Sequence, residues 1–140
     1  MVPIPRKNHL TTIMVVDNRN DVLLKLIRYC ADLRKKLLIE IGEFYPVVHY
    51  YNDGECNLLS PPDVSYDSVN DYEQVLASLI LQRKINNYCS ARDVNVRDPN
   101  GNIKSAIEFN AVLNGEDYDS AYIYYTKNDG GKYSFSELTF

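Results

Sequence analysis

The sequence predicts an α+β domain in two layers: an antiparallel sheet of about five to six strands with two helices packed on one face. Three observations lead there. Two stretches repeat their apolar residues at helical spacing. The remaining segments are short, rich in β-branched and aromatic residues, and separated by Gly, Asn, Asp and Pro. The breaks between successive strands are too short for a crossover, which makes sequential strands antiparallel neighbours.

Residues 1–12 hold two prolines and no periodicity, and read as a loose N-terminal arm. From Asp21 to Ile41 the residues Leu23, Leu26, Ile27, Cys30, Leu33, Leu37 and Ile41 form one stripe, with Arg28, Asp32, Lys35 and Lys36 opposite. Asn20 is a candidate cap for that helix, and Gly42 offers a left-handed stop. Phe44 to Tyr51 reads as a strand, Asn52-Asp53-Gly54 as a hairpin turn, and Cys56 to Leu59 as the returning strand. Pro46 confines the first of these to a strand start or a sheet edge, and Pro61-Pro62 ends the hairpin.

A second helix is expected from Asp71 to Tyr88, with Asn70 and Glu73 placed as a capping box. Its buried stripe is Tyr72, Leu76, Leu79, Ile80 and Arg83, the last with its head group at the rim. Four strands follow. Asp93–Arg97 alternates through Val94 and Val96, and Asp98-Pro99-Asn100-Gly101 carries type I turn chemistry. Ile107, Phe109, Ala111 and Leu113 alternate up to Asn114-Gly115. Ser120–Thr126 places Tyr122 and Tyr124 on one face, and Asn128-Asp129-Gly130-Gly131 turns into a last strand with Tyr133 and Phe135. No repeat or linker divides residues 1–140, so the chain reads as one domain.

Composition narrows the function. A length of 140 residues, 45% of them hydrophobic, is enough for a real core. A net charge of −4 runs against general nucleic-acid binding and docking on anionic lipid, although Arg34, Lys35 and Lys36 form a local basic cluster. Cys30, Cys56 and Cys89 are odd in number and widely spaced, which fits reduced thiols in a cytoplasmic protein. No segment has the roughly 18 unbroken apolar residues that a membrane span needs.

No pattern identifies a reaction. His9 and His49 are too few for most His-based sites. His49 and Cys56 are the one candidate thiol–base pair, expected to face each other across the first hairpin. The cysteine spacing shows no zinc pattern, and neither 52–55 nor 117–119 has the carboxylate periodicity of a calcium loop. Glu116 and Asp117 are adjacent carboxylates on a turn, where solvated charge is the ordinary reading. No cofactor is expected.

Charge patterning says more. From Tyr51 to Gln82 there are six carboxylates and no Lys or Arg, and Ser105 to Thr126 adds Glu108, Glu116, Asp117 and Asp119. Tyrosines gather in the same stretches. A charge run is usually a solvated face, but negative charge interleaved with Tyr also describes a surface that steers and anchors a cationic protein. Asp53, Glu55, Asp63, Tyr66, Asp67, Glu116, Asp117, Tyr118 and Asp119 are the candidate contact residues.

Gly42-Glu43-Phe44-Tyr45-Pro46 followed by Asp53-Gly54-Glu55 resembles a "GEFYP…DGE" signature of small, mostly uncharacterised bacterial α+β proteins. Ala91 to Gly101, with Ser105-Ala106-Ile107, resembles a later "DVRV…P.G…AI" segment of the same group. The order of elements agrees over most of the chain. After Ile107 the chain departs from the group, with Asn110 and a Tyr-rich strand in place of an acidic residue and a branched apolar pattern. The group includes immunity proteins of contact-dependent inhibition toxin systems. The resemblance therefore implies an inhibitor of a cognate protein toxin, here one with a basic, nuclease-like cleft. It transfers no catalytic residue. The alternatives are an assembly module that homodimerises and, less favoured, a thiol enzyme using His49 and Cys56.

Overall fold

A computed structural model of the protein describes residues 19–42 and 45–140; the arm expected over 1–12 lies outside them, as do Glu43 and Phe44 of the signature. The elements in order are α1 (Arg19–Glu40), β1 (Val47–Asn52), β2 (Glu55–Leu58), α2 (Val69–Gln82), β3 (Tyr88–Arg97), β4 (Ile103–Leu113), β5 (Glu116–Asp117), β6 (Ala121–Lys127) and β7 (Tyr133–Phe135). The strands form one antiparallel sheet in the order β2-β1-β3-β4-β6-β7, with the two-residue β5 also on β4. The expected α+β class and antiparallel sheet are present.

Residues along a strand alternate between faces, so the two apolar clusters lie on opposite sides of the sheet. Leu23, Leu26, Ile27, Cys30 and Ala31 of α1 pack on Val47, Cys89, Ala91, Ile107, Phe109, Ala111 and Ile123. Leu76, Tyr72, Leu79 and Ile80 of α2 pack instead on Val48, Tyr50 and Tyr88. Only α1 occupies the face expected for both helices. The reason lies in β1, where Val47, Val48 and His49 are buried in succession, so both faces of that strand need cover.

The helix ends also depart from expectation. Residue 20 lies inside α1, so Asn20 is not its cap. Gly42 does stop that helix in the left-handed region at φ +67, while Ile41 is 69% exposed rather than part of the stripe. Ser68, not Asn70, caps α2: its Oγ accepts from the Asp71 amide at 3.1 Å. The helix ends at Gln82, six residues earlier than expected, because Lys84 turns to φ +53 and the Ile85 amide closes back on the Ile80 carbonyl. Arg83 becomes an exposed cap residue, and Tyr88 opens β3. Strand β3 therefore starts five residues before the expected Asp93.

Candidate functional site

Two hairpins bring four of the candidate carboxylates to one end of the sheet. Asp53 (φ +51) and Gly54 (φ +83) make a type I′ turn between β1 and β2. Asn114 (φ +54) and Gly115 (φ +78) make the same turn between β4 and β5. Because β1 and β4 both end here, Asp53, Glu55, Glu116 and Asp117 share this end, all exposed. Three strand spacings of about 4.8 Å set the turns about 14 Å apart. That is near the Debye length of about 10 Å at 0.1 M salt, so both turns contribute to one field in dilute buffer.

A strap fixes the two turns relative to each other. The Asn87 carbonyl accepts from the Tyr51 amide at 2.9 Å, and its side-chain oxygen accepts from the Asn114 amide at 2.8 Å. The Asn86 carbonyl accepts from the Gly115 amide at 3.1 Å. This strap falls where a helix was expected, so the sequence reading missed it; the Asn-Asn pair after Ile85 was its one signal. A hollow of about 340 Å³ opens between Tyr50–Asn52 and residues 83–87, with Arg83 and Lys84 on its wall. Asp117 lies close enough to help burial raise the Tyr88 hydroxyl.

The other candidates lie elsewhere. Asp119 is exposed on the connection between β5 and β6, and Tyr118 is half-buried against the α1 core, its amide donating to the Ala111 carbonyl at 3.0 Å. Asp63, Tyr66 and Asp67 sit between β2 and α2, at the opposite end of the sheet from Asp53. Tyr66 meets Tyr45 and Tyr72 edge-on, at 6.5 and 4.9 Å between ring centroids. Its hydroxyl donates to the Pro62 carbonyl at 2.7 Å, so this tyrosine shapes its own loop. Two other acids of these stretches are engaged within the fold. Glu73 pairs with Arg92 at 3.0 Å, and Glu108 accepts from Tyr122 at 2.9 Å and from Asn110 at 3.1 Å.

Arg34, named from sequence only as part of a basic cluster, is fully buried under α1. Its Nη1 donates to the Tyr45 carbonyl, and its Nε lies 3.7 Å from Oδ1 of Asp93. At that separation Nε and Nη2 of Arg34 and both Asp93 oxygens lack hydrogen-bond partners. Burial pushes the Asp93 carboxyl up and the guanidinium opposes it. The signal was present in the sequence: position 34 continues the Leu26, Ile27, Cys30 stripe and leads to Leu38.

The histidine pairs with a different thiol from the one expected. Register sets Leu58, not Cys56, opposite His49, while Cys56 faces Tyr51. Nδ1 of His49 instead meets Sγ of Cys30 at 3.3 Å, and that Sγ also approaches the Cys89 carbonyl at 3.1 Å. Burial pushes the Cys30 thiol up, but the contacts with Cys89 and His49 outweigh it and bring it down to about 6. Cys89 is pushed well up, first by its hydrogen bond to Cys30 and then by burial. Of these two thiols, Cys30 loses its proton readily and Cys89 keeps its own.

No protein-family model, no curated protein and no solved structure matches the chain. Among the described residues, no group of three or more His, Cys, Asp or Glu side chains is placed to hold a metal ion. No described helix is long and apolar enough to cross a membrane.

Proposed function

We propose that the chain is a protein-binding inhibitor, an immunity protein whose sheet end bearing Asp53, Glu55, Glu116 and Asp117 docks on the cationic cleft of a cognate toxin. The carrying observation is the pair of type I′ hairpins that bear these acids, tied together by Asn86 and Asn87. Charges fixed on paired strands meet a partner without first being ordered, which spares the entropy that loop-borne charges lose on binding. Their field raises the encounter rate, while Tyr50, Tyr51 and Tyr88 beneath the turns supply amphipathic area for the docked state. Arg83 and Lys84 interrupt the negative field and orient the partner, since like charges across an interface are costly.

The test is co-purification. The product of the gene directly upstream is expected to co-elute with this chain, and reversing the four carboxylates to Lys is expected to slow association by tenfold or more at low salt. A chain that runs alone as a stable homodimer, with no affinity for that product, supports the assembly reading instead.

A further inference from the structure

Three side chains with no place in the proposed docking surface meet under the middle of α1. Cys89 and His49 are direct cross-strand partners on β3 and β1, so both point to the face that α1 covers. Cys30 descends from the helix between them, touching Nδ1 of His49 at 3.3 Å and the backbone of Cys89 at 3.1 Å. Cys30 is also the first cause of the rise in the Cys89 thiol, ahead of burial. This juxtaposition combines a sulfur to be oxidised, a base beside it and a second thiol within reach.

We propose that Cys30 and Cys89 are an oxidisable dithiol: a hydroperoxide oxidises Cys30, and Cys89 resolves the product into a disulfide that ties α1 to β3. In the first step the Cys30 thiolate attacks one peroxide oxygen. An S–O bond forms, the O–O bond breaks, and the departing hydroxide takes up a proton, relayed through the His49 side chain, and leaves as water. Sulfur is oxidised by two electrons and the peroxide is reduced by two. In the second step the Cys89 sulfur, giving up its proton, attacks the sulfenic sulfur. The S–S bond forms, the S–O bond breaks, and a second water leaves.

Cys30 has no exposed surface, so the reagent has to be small. The imidazole beside it is 6% exposed, and the half-exposed Tyr29 ring lies 5.8 Å from that imidazole between centroids. A molecule little larger than water needs only those two rings to part. Glutathione disulfide and larger reagents need α1 to lift. Cys56 is the internal control, because it is more exposed but has its thiol raised by burial, with Lys25 only opposing that rise.

The experiment treats the full chain with dilute hydrogen peroxide near pH 7, quenches by alkylation, and maps peptides without reduction. The expected first product is a Cys30–Cys89 link, about two mass units lighter than the dithiol and reversed by dithiothreitol. Oxidation of Cys56 ahead of Cys30, or a Cys30 oxyacid with no link to Cys89, overturns the proposal. The rate is expected to level off near neutral pH, since the Cys30 thiol is held to about 6. A rate that climbs on to the ordinary thiol range near about 8.5 overturns the role of His49. In Cys89→Ser the sulfenic acid has no resolving partner, so dimedone is expected to label Cys30; absence of that label, with the link still forming in the unsubstituted chain, overturns the order of steps. None of these readouts depends on a partner protein.

Discussion

The two ends of the sheet are built on different physics. At the Asp53 end the charges are exposed, carried on and just after two-residue turns, beside hydrogen bonds to Asn86 and Asn87. At the Tyr45 end a buried guanidinium holds the chain by the Tyr45 carbonyl and faces Asp93, and the Tyr45 ring stacks on Tyr72 with centroids 4.6 Å apart. One end carries its charges on the surface, where they act over distance. The other depends on a charge that has no contact with solvent. Substitutions are therefore expected to separate cleanly, with binding lost at one end and stability at the other.

The largest stability effect is expected at the Tyr45 end. Arg34→Ala strands the Asp93 carboxylate in a largely buried site and is expected to cost about 3 kcal/mol in urea unfolding. Arg34→Met with Asp93→Leu removes both charges and is expected to recover most of that loss. Equal losses in the single and double variants break the picture of a paired site.

The next effect is a pH slope. The unfolded chain holds the Cys30 proton up to the ordinary thiol value of about 8.5, whereas the folded chain releases it at about 6. Between those values the unfolded state binds more protons, so stability is expected to rise with pH and to lose this contribution as pH falls through about 6. Cys30→Ser is expected to flatten that slope. Asp93, with its carboxyl raised by burial, acts with the opposite sign: its contribution is present at low pH and fades as pH rises through its folded value.

Smaller effects are expected at the Asp53 end. Gly115→Ala meets no neighbouring atom but sits at φ +78, so backbone strain alone sets a cost of about 1 kcal/mol. Asn87→Ala removes one side-chain hydrogen bond to the β4–β5 turn and is expected to cost about 1 kcal/mol. Its sharper consequence is a slower association with the partner while the net charge stays the same. An unchanged association rate in Asn87→Ala shows that charge alone matters there and that the strap does not.

Much of this contrast was legible in the sequence, and the remainder has identifiable causes. Asp53-Gly54 and Asn114-Gly115 announced their turns because few residue pairs tolerate two positive φ angles in succession. Alternation in β4 gave its buried face correctly through Ile107, Phe109, Ala111 and Leu113. What failed was long-range. The expected helix ran past Gln82 because nothing local announces that Lys84 accepts φ +53. The charge run from Tyr51 to Gln82 reads as one surface in the sequence, yet an antiparallel hairpin returns the chain to the far end, which separates Asp63 and Asp67 from Asp53. Arg34 was read as surface because arginine usually is, although its position on the stripe argued otherwise.

The most direct measurement of the central claim compares two charge reversals by stopped-flow association with the upstream gene product across a salt series. Asp53→Lys, Glu55→Lys, Glu116→Lys and Asp117→Lys together are expected to slow association tenfold or more at low salt and to flatten its salt dependence. The thermal midpoint is expected to stay nearly unchanged. Asp63→Lys with Asp67→Lys, at the other end, is expected to leave the rate within about twofold. Equal slowing by both sets, or by neither, contradicts a docking surface at the Asp53 end.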